Sequence, residues 1–164
     1  MILAISVACS ALILGVGATI FMDLWALFRA RVLGITSLNY ALVGRWVGHM
    51  TRGKFAHTSI AAAAPIGGEL MLGWFAHYLT GVVFAAVFLV IMSLGWLEAP
   101  TLLPALVFGV LTVVLPFFIM QPAFGFGVAA AKTPNPSVAR QRSLITHASF
   151  GVGLYLTGLV MQVF

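Results

Sequence analysis

The sequence predicts an all-α membrane protein with four transmembrane helices and one amphipathic helix at the cytoplasmic-side interface. Of its 164 residues, 62% are hydrophobic and 7% are charged, giving a mean hydropathy of +1.14. The eight Lys and Arg residues fall in two short stretches, which leaves four long apolar runs almost bare of charge. A run of about 20 apolar residues spans the hydrocarbon of a bilayer, and soluble domains seldom carry one. Four spans and their connections use nearly all of residues 1–164, so a single integral membrane domain is expected.

The first helix is placed at about 3–28, ending at Arg29 and Arg31. Met1 to Ala4 contains no Lys or Arg, unlike the positive start of a signal peptide, so this run is expected to be a retained span. The second helix is placed at about 66–96, with Pro65 suited to a helix start. The third, at about 102–131, contains Pro104, Pro116 and Pro122. Interior prolines free a carbonyl and bend a helix, so a kink is expected around Gln121, between Pro116 and Pro122. The fourth helix, at about 138–163, follows the turn-forming stretch KTPNPS at 132–137.

Charge sets the orientation. Arg29, Arg31, Arg45, Arg52 and Lys54 lie between the first two helices, and Lys132, Arg140 and Arg142 between the last two. The connection between the second and third helices has no basic residue and carries Glu98. The positive-inside bias therefore places both basic connections in the cytoplasm and both termini on the outer, periplasmic side. Within the long first connection, Leu38, Leu42, Val43, Trp46, Val47 and Met50 recur at helical spacing, while Asn39, Arg45 and His49 lie off that stripe. Residues 38–50 are thus expected to form an amphipathic helix on the membrane surface, with Arg45 toward water; packing on the bundle is the alternative. His49 and His57 are expected to be solvated.

The net charge of +5 would suggest nucleic acid in a soluble protein. Here the basic residues flank apolar runs and lack interleaved aromatics, so lipid headgroups are the expected partner and nucleic acid is not. The single Cys9 can form no intrachain disulfide and has no CxxC partner. No Walker loop, HExxH, nucleophile elbow or dinucleotide-binding GxGxxG context occurs, and no enzymatic activity is expected.

Hydroxyls apart, the membrane-embedded polar set is Asp23, Glu69, His77, Gln121 and His147. All five fall toward the cytoplasmic ends of their helices. A carboxylate in hydrocarbon costs about 2.5–3.5 kcal/mol on insertion scales, so such groups turn inward and find partners. One reading is a common site in which Asp23 or Glu69 accepts a hydrogen bond from a histidine and carries proton or small-solute traffic. The other is interhelical hydrogen bonding that locks the helices together. Glu69 can also stabilise a helix N-terminus while staying wet. His77 and His147 each precede a glycine by one helical turn, at Gly81 and Gly151. That pattern leaves bis-histidine haem ligation, or a histidine–carboxylate metal site, as alternatives to a cofactor-free cluster.

The same spacing suggests an internal repeat: His77/Gly81 matches His147/Gly151, and Met22-Asp23 matches Met120-Gln121, as in a parallel duplication of a two-helix unit. The segments GVGATIFMDLWALF (15–28), GGELMLGWFAHYLTG (67–81) and LITHASFGVGL (144–154) resemble the bacterial inner-membrane families of unknown function grouped around YagU. The resemblance implies four membrane helices with Asp23, His77 and His147 at the matching polar positions, and it brings no activity with it. The expected function is therefore a polytopic inner-membrane protein whose polar cluster serves packing or small-solute and proton traffic. An accessory subunit of a larger membrane complex or homo-oligomer, contacting it through lipid-facing Trp74, Phe84 and Phe88, is one alternative. A haem-binding redox protein is the other.

Overall fold

The computed structural model describes residues 2–163, with side chains from 7 to 163. In order, the elements are α1 (Ile2–Leu33), α2 (Tyr40–Met50), α3 (Glu69–Met92), a 3-10 turn (Leu94–Glu98), α4 (Leu102–Leu111), a π-wound segment (Pro116–Met120), α5 (Gln121–Ala123), a second 3-10 turn (Val128–Ala130) and α6 (Pro136–Val163). No strand occurs among the described residues. Four stretches are long and apolar enough to cross a membrane: Val7–Leu33, Glu69–Met92, Leu102–Ala123 and Pro136–Val163. The shortest has 22 residues, enough for about 33 Å of helix at 1.5 Å per residue.

Backbone chemistry accounts for where these helices stop. α1 runs past Phe28, through Arg29 and Arg31, because arginine favours helix as well as leucine does and charge alone does not end one. It stops at Gly34, whose φ of 65° is open to glycine at little cost. Residues 66–68 stay outside α3, with Gly68 at a φ of 73°. The third span is irregular. α4 ends at Leu111 with Thr112 as its C-cap. Pro116, which has no N–H to donate, then opens the π-wound turn. The expected disturbance beside Gln121 is present, but helix ends at Ala123 rather than near 131. Beyond it, Gly125 and Gly127 take positive φ, as do Ala129 and Ala130 in the following turn.

The chain forms two compact units. The first comprises residues 1–37, 78–112 and 145–164. Ala11, Leu14, Ala18, Ala85, Phe88, Leu89, Trp96, Ala105, Phe150 and Leu154 form its core. Phe88 meets the Trp96 ring edge-on at 4.7 Å and Phe108 at 5.2 Å. It is 1% exposed, and Phe84 is half-buried against Phe150. Phe88 is therefore not the lipid-facing contact expected from its place in an apolar run, since a span apolar all round gives no sign of which face turns inward. Helices cross at glycines: a Cβ on Gly109 would overlap the Gly151 backbone, and one on Gly15 would overlap Gly81 and Val82. Backbones approach this closely in membrane bundles only where side chains are small.

The second unit comprises residues 38–77 and 113–144. In it α2 lies directly on the first turns of α3. A Cβ on Gly44 would overlap the Glu69 carbonyl, and one on Gly73 the Tyr40 carbonyl. Asn39 caps α2, its Oδ1 accepting from the Ala41 N–H at 3.0 Å. Within the unit α2 is a packed helix, the alternative set beside the surface-lying one, and Gly44 and His49 are buried. Ile60, in the long connection, bonds Phe124 through its N–H, and both are fully buried.

Candidate functional site

Each unit carries part of the expected polar set. Asp23 and His147 belong to the first; Glu69, His77 and Gln121 belong to the second.

In the first unit three side-chain bonds join four helices. Tyr78 OH in α3 donates to Asp23 Oδ2 in α1 at 3.1 Å. Arg29 Nη2 in α1 donates to Thr146 Oγ1 in α6 at 3.2 Å. Thr112, at the end of α4, lies 2.7 Å from His147 Nδ1 in α6. The last bond has a defined direction. The Thr112 hydroxyl has one proton and gives it to the Gly109 carbonyl, which can only accept. His147 must therefore donate from Nδ1–H.

Arg29 escaped the sequence reading, which took it as the charged edge of a helix. It is 5% exposed and sits inside α1. A buried guanidinium within a span is costly and is a functional candidate by default. Its neighbour Thr146 directly precedes His147, so a run of polar groups passes from α1 through α6 to α4. Asp23 lies six residues before Arg29 on α1, about 9 Å along the axis.

In the second unit Glu69 is ion-paired. Arg45 Nε and Nη2 donate to its two carboxylate oxygens at 2.9 and 2.8 Å, a bidentate fork. Glu69 Oε2 also accepts the Ile66 N–H at 3.1 Å, capping the start of α3. Arg45 Nη1 faces the carbonyls of Ile60, Ala61 and Ala63 at 3.0–3.2 Å. The hydrogen bond to Glu69 raises the Arg45 pKa above its already high ordinary value. Arg45 therefore does not face water as the helical stripe suggested; it straps the connection to α2 and α3. His77 Nε2 lies 3.0 Å from Tyr40 OH, and the Trp74 and Tyr40 rings lie 4.4 Å apart beside it, tilted by 43°. Gln121 is 7% exposed; its Nε2 donates weakly to Ser143 Oγ at 3.4 Å, and its Oε1 has no hydrogen-bond partner.

His49 and His57 overturn the expectation of solvation. They are 6% and 7% exposed, and His49 Nδ1 lies 2.7 Å from His57 Nε2. Helical spacing could not reveal this, because His57 belongs to an irregular connection folded back over α2. Burial pushes the His57 pKa down, and the charges of Lys54 and His49 push it the same way.

The partners Tyr40, Tyr78, Thr112 and Thr146 do not stand out in the sequence, because hydroxyls are common in apolar helices; the one signal is that Tyr78 follows His77 directly. Among the described residues no three His, Cys, Asp or Glu side chains converge as metal ligands.

The family model for DUF2938, a protein of unknown function, matches residues 12–161. No curated protein and no solved structure matches the chain.

Proposed function

The chain belongs to the DUF2938 family of proteins of unknown function, and we propose that it is a non-enzymatic, multi-pass protein of the bacterial inner membrane that passes protons, alone or with a small solute, through the polar side chains of its first unit. The observation that carries this reading is the Thr112–His147 bond at 2.7 Å. It fixes the orientation of the imidazole, through an Nδ1–H donor, beside the end of an interrupted span. Interrupted helices in transporters commonly border substrate or ion sites, and histidine changes charge near neutral pH. The buried Arg29, bonded to the residue before His147, supplies positive charge for an anionic solute, and Asp23 supplies a second titratable group. The gathering of all eight Lys and Arg residues in two connections supports a cytoplasmic position for those connections and periplasmic termini. Kinship with the YagU-like families rests on the three short motifs quoted above and leaves the activity equally open.

A second reading has its own observation. Asp23–Tyr78, Arg29–Thr146 and Thr112–His147 tie α1 to α3, α1 to α6 and α4 to α6. Such bonds hold helices together whether or not anything passes them.

Proton entry into liposomes containing the purified protein, driven by a potassium diffusion potential and read by an internal pH dye, separates the two. The transport reading expects flux above protein-free liposomes and its loss in Asp23→Asn. Flux equal to that of empty liposomes leaves the structural reading.

A further inference from the structure

We propose that the His49–His57 pair is an acid-released latch, which holds the 51–60 connection against the end of the third span at neutral pH and lets it go when His57 takes a proton. All of its residues lie in the second unit, so it does not rest on the proton-transfer reading.

The geometry starts from the backbone. His57 N–H donates to the Ala123 carbonyl at 2.9 Å, and Ile60 N–H to the Phe124 carbonyl at 3.1 Å. Gly125 makes room for this pairing, since a Cβ there would overlap the Thr58 carbonyl. Trp46 closes the other side: its Nε1 donates to the Phe55 carbonyl at 2.8 Å, and its ring meets Phe124 edge-on at 5.6 Å. The connection is thus held by α2 and by residues 123–125, with the two imidazoles between.

The pair is poised on one protonation state. His57 Nδ1 is buried and has no hydrogen-bond partner. A bare lone pair there is tolerable, whereas an N–H would be a buried donor with no acceptor. The neutral arrangement therefore has His57 Nε2–H donating to His49 Nδ1. Protonation puts a hydrogen on Nδ1 and a charge in a dry site. The Ala123 carbonyl favours that charge, but burial and the neighbouring positive charges outweigh it. Lys54, in the same connection, repels it. From α2, Arg45 is positive and committed to Glu69 of α3, the carboxylate on which His49 acts. Arg52 lies exposed on the turn after α2. The end of the third span contributes Ala123, Phe124 and Gly125, none of them charged. Moving His57 toward water relieves the buried charge, and it breaks the His57–Ala123 and Ile60–Phe124 backbone bonds.

Amide hydrogen exchange of the full chain in nanodiscs, corrected for the intrinsic pH dependence with an unstructured peptide, reads this directly. Between pH 7.5 and 5.5 the His57 and Ile60 amides should lose protection by about tenfold or more while α3 keeps its own. His57→Gln, which retains a donor at the Nε2 position and cannot take the proton, should stay protected at pH 5.5. Lys54→Gln, at an exposed site, should move the release to lower pH. Unchanged protection at pH 5.5 in the wild type, equal loss in His57→Gln, or an unshifted release in Lys54→Gln would overturn the latch.

Discussion

Arg45 holds both carboxylate oxygens of Glu69, through Nε at 2.9 Å and Nη2 at 2.8 Å, while its remaining nitrogen faces three carbonyls of the connection before α3. One guanidinium thus fixes α2, the start of α3 and the intervening chain. Lysine keeps the charge but lacks the fork and cannot reach all five acceptors. Arg45→Lys should speed proteolytic cleavage within residues 58–65 by about tenfold, with α1 uncut, as expected for a local opening. Glu69→Gln should do the same, and the double variant should add little because both act through one network. Additive effects would show that the two residues work separately.

The helix crossings make a graded prediction. Ala at Gly44 or Gly109 would drive a Cβ into a neighbouring backbone, and each should cost about 1–3 kcal/mol, seen as a lower midpoint in thermal unfolding in detergent. Gly67, with nothing within 4 Å of such a Cβ, is the control and should tolerate Ala. Equal effects at all three positions would contradict the packing described.

Stability should fall with acid through His57. Its folded pKa lies below the ordinary histidine value, which is about 6.5. Above that value both folded and unfolded forms are neutral, and the site costs nothing. Below it the unfolded chain takes a proton that the folded site refuses, so stability declines with falling pH until the folded pKa is passed. The unfolding midpoint of the wild type should drop from pH 7.5 to 5.5 by more than that of His57→Gln. Parallel pH profiles would assign the acid sensitivity elsewhere.

Topology is tested by labelling. In a Cys9→Ser background, Ser137→Cys should resist a membrane-impermeant thiol reagent applied to intact cells, and tags at both termini should be reached from outside. Labelling of Ser137→Cys from outside would reverse the orientation.

The four spans were legible because long apolar runs have few other uses, and the disturbance near Gln121 because Pro116 and Pro122 are visible in the sequence. The extent of α1 was not, since Arg29 and Arg31 looked like an end although arginine continues a helix well. That misreading hid Arg29, whose burial depends on a partner in α6 far along the chain. Asp23 and His147 stood out as rare polar groups in apolar runs; Tyr78 and Thr112, which hold them, did not, because hydroxyls occur throughout such helices. The His49–His57 bond was out of reach for a similar reason: it depends on how a connection without periodicity folds back on α2.

The most direct test of the central claim compares His147→Asn with Thr112→Val. Asparagine keeps an N–H near the position of Nδ1 to bond Thr112 but cannot accept a proton, whereas valine removes the bond and leaves the imidazole. Proton flux and the thermal midpoint are measured on the same preparations. The account predicts that His147→Asn abolishes flux with a nearly unchanged midpoint, while Thr112→Val lowers the midpoint and retains part of the flux. Wild-type flux in His147→Asn, or no flux from the wild type itself, would contradict it and leave His147 as a tie between α4 and α6.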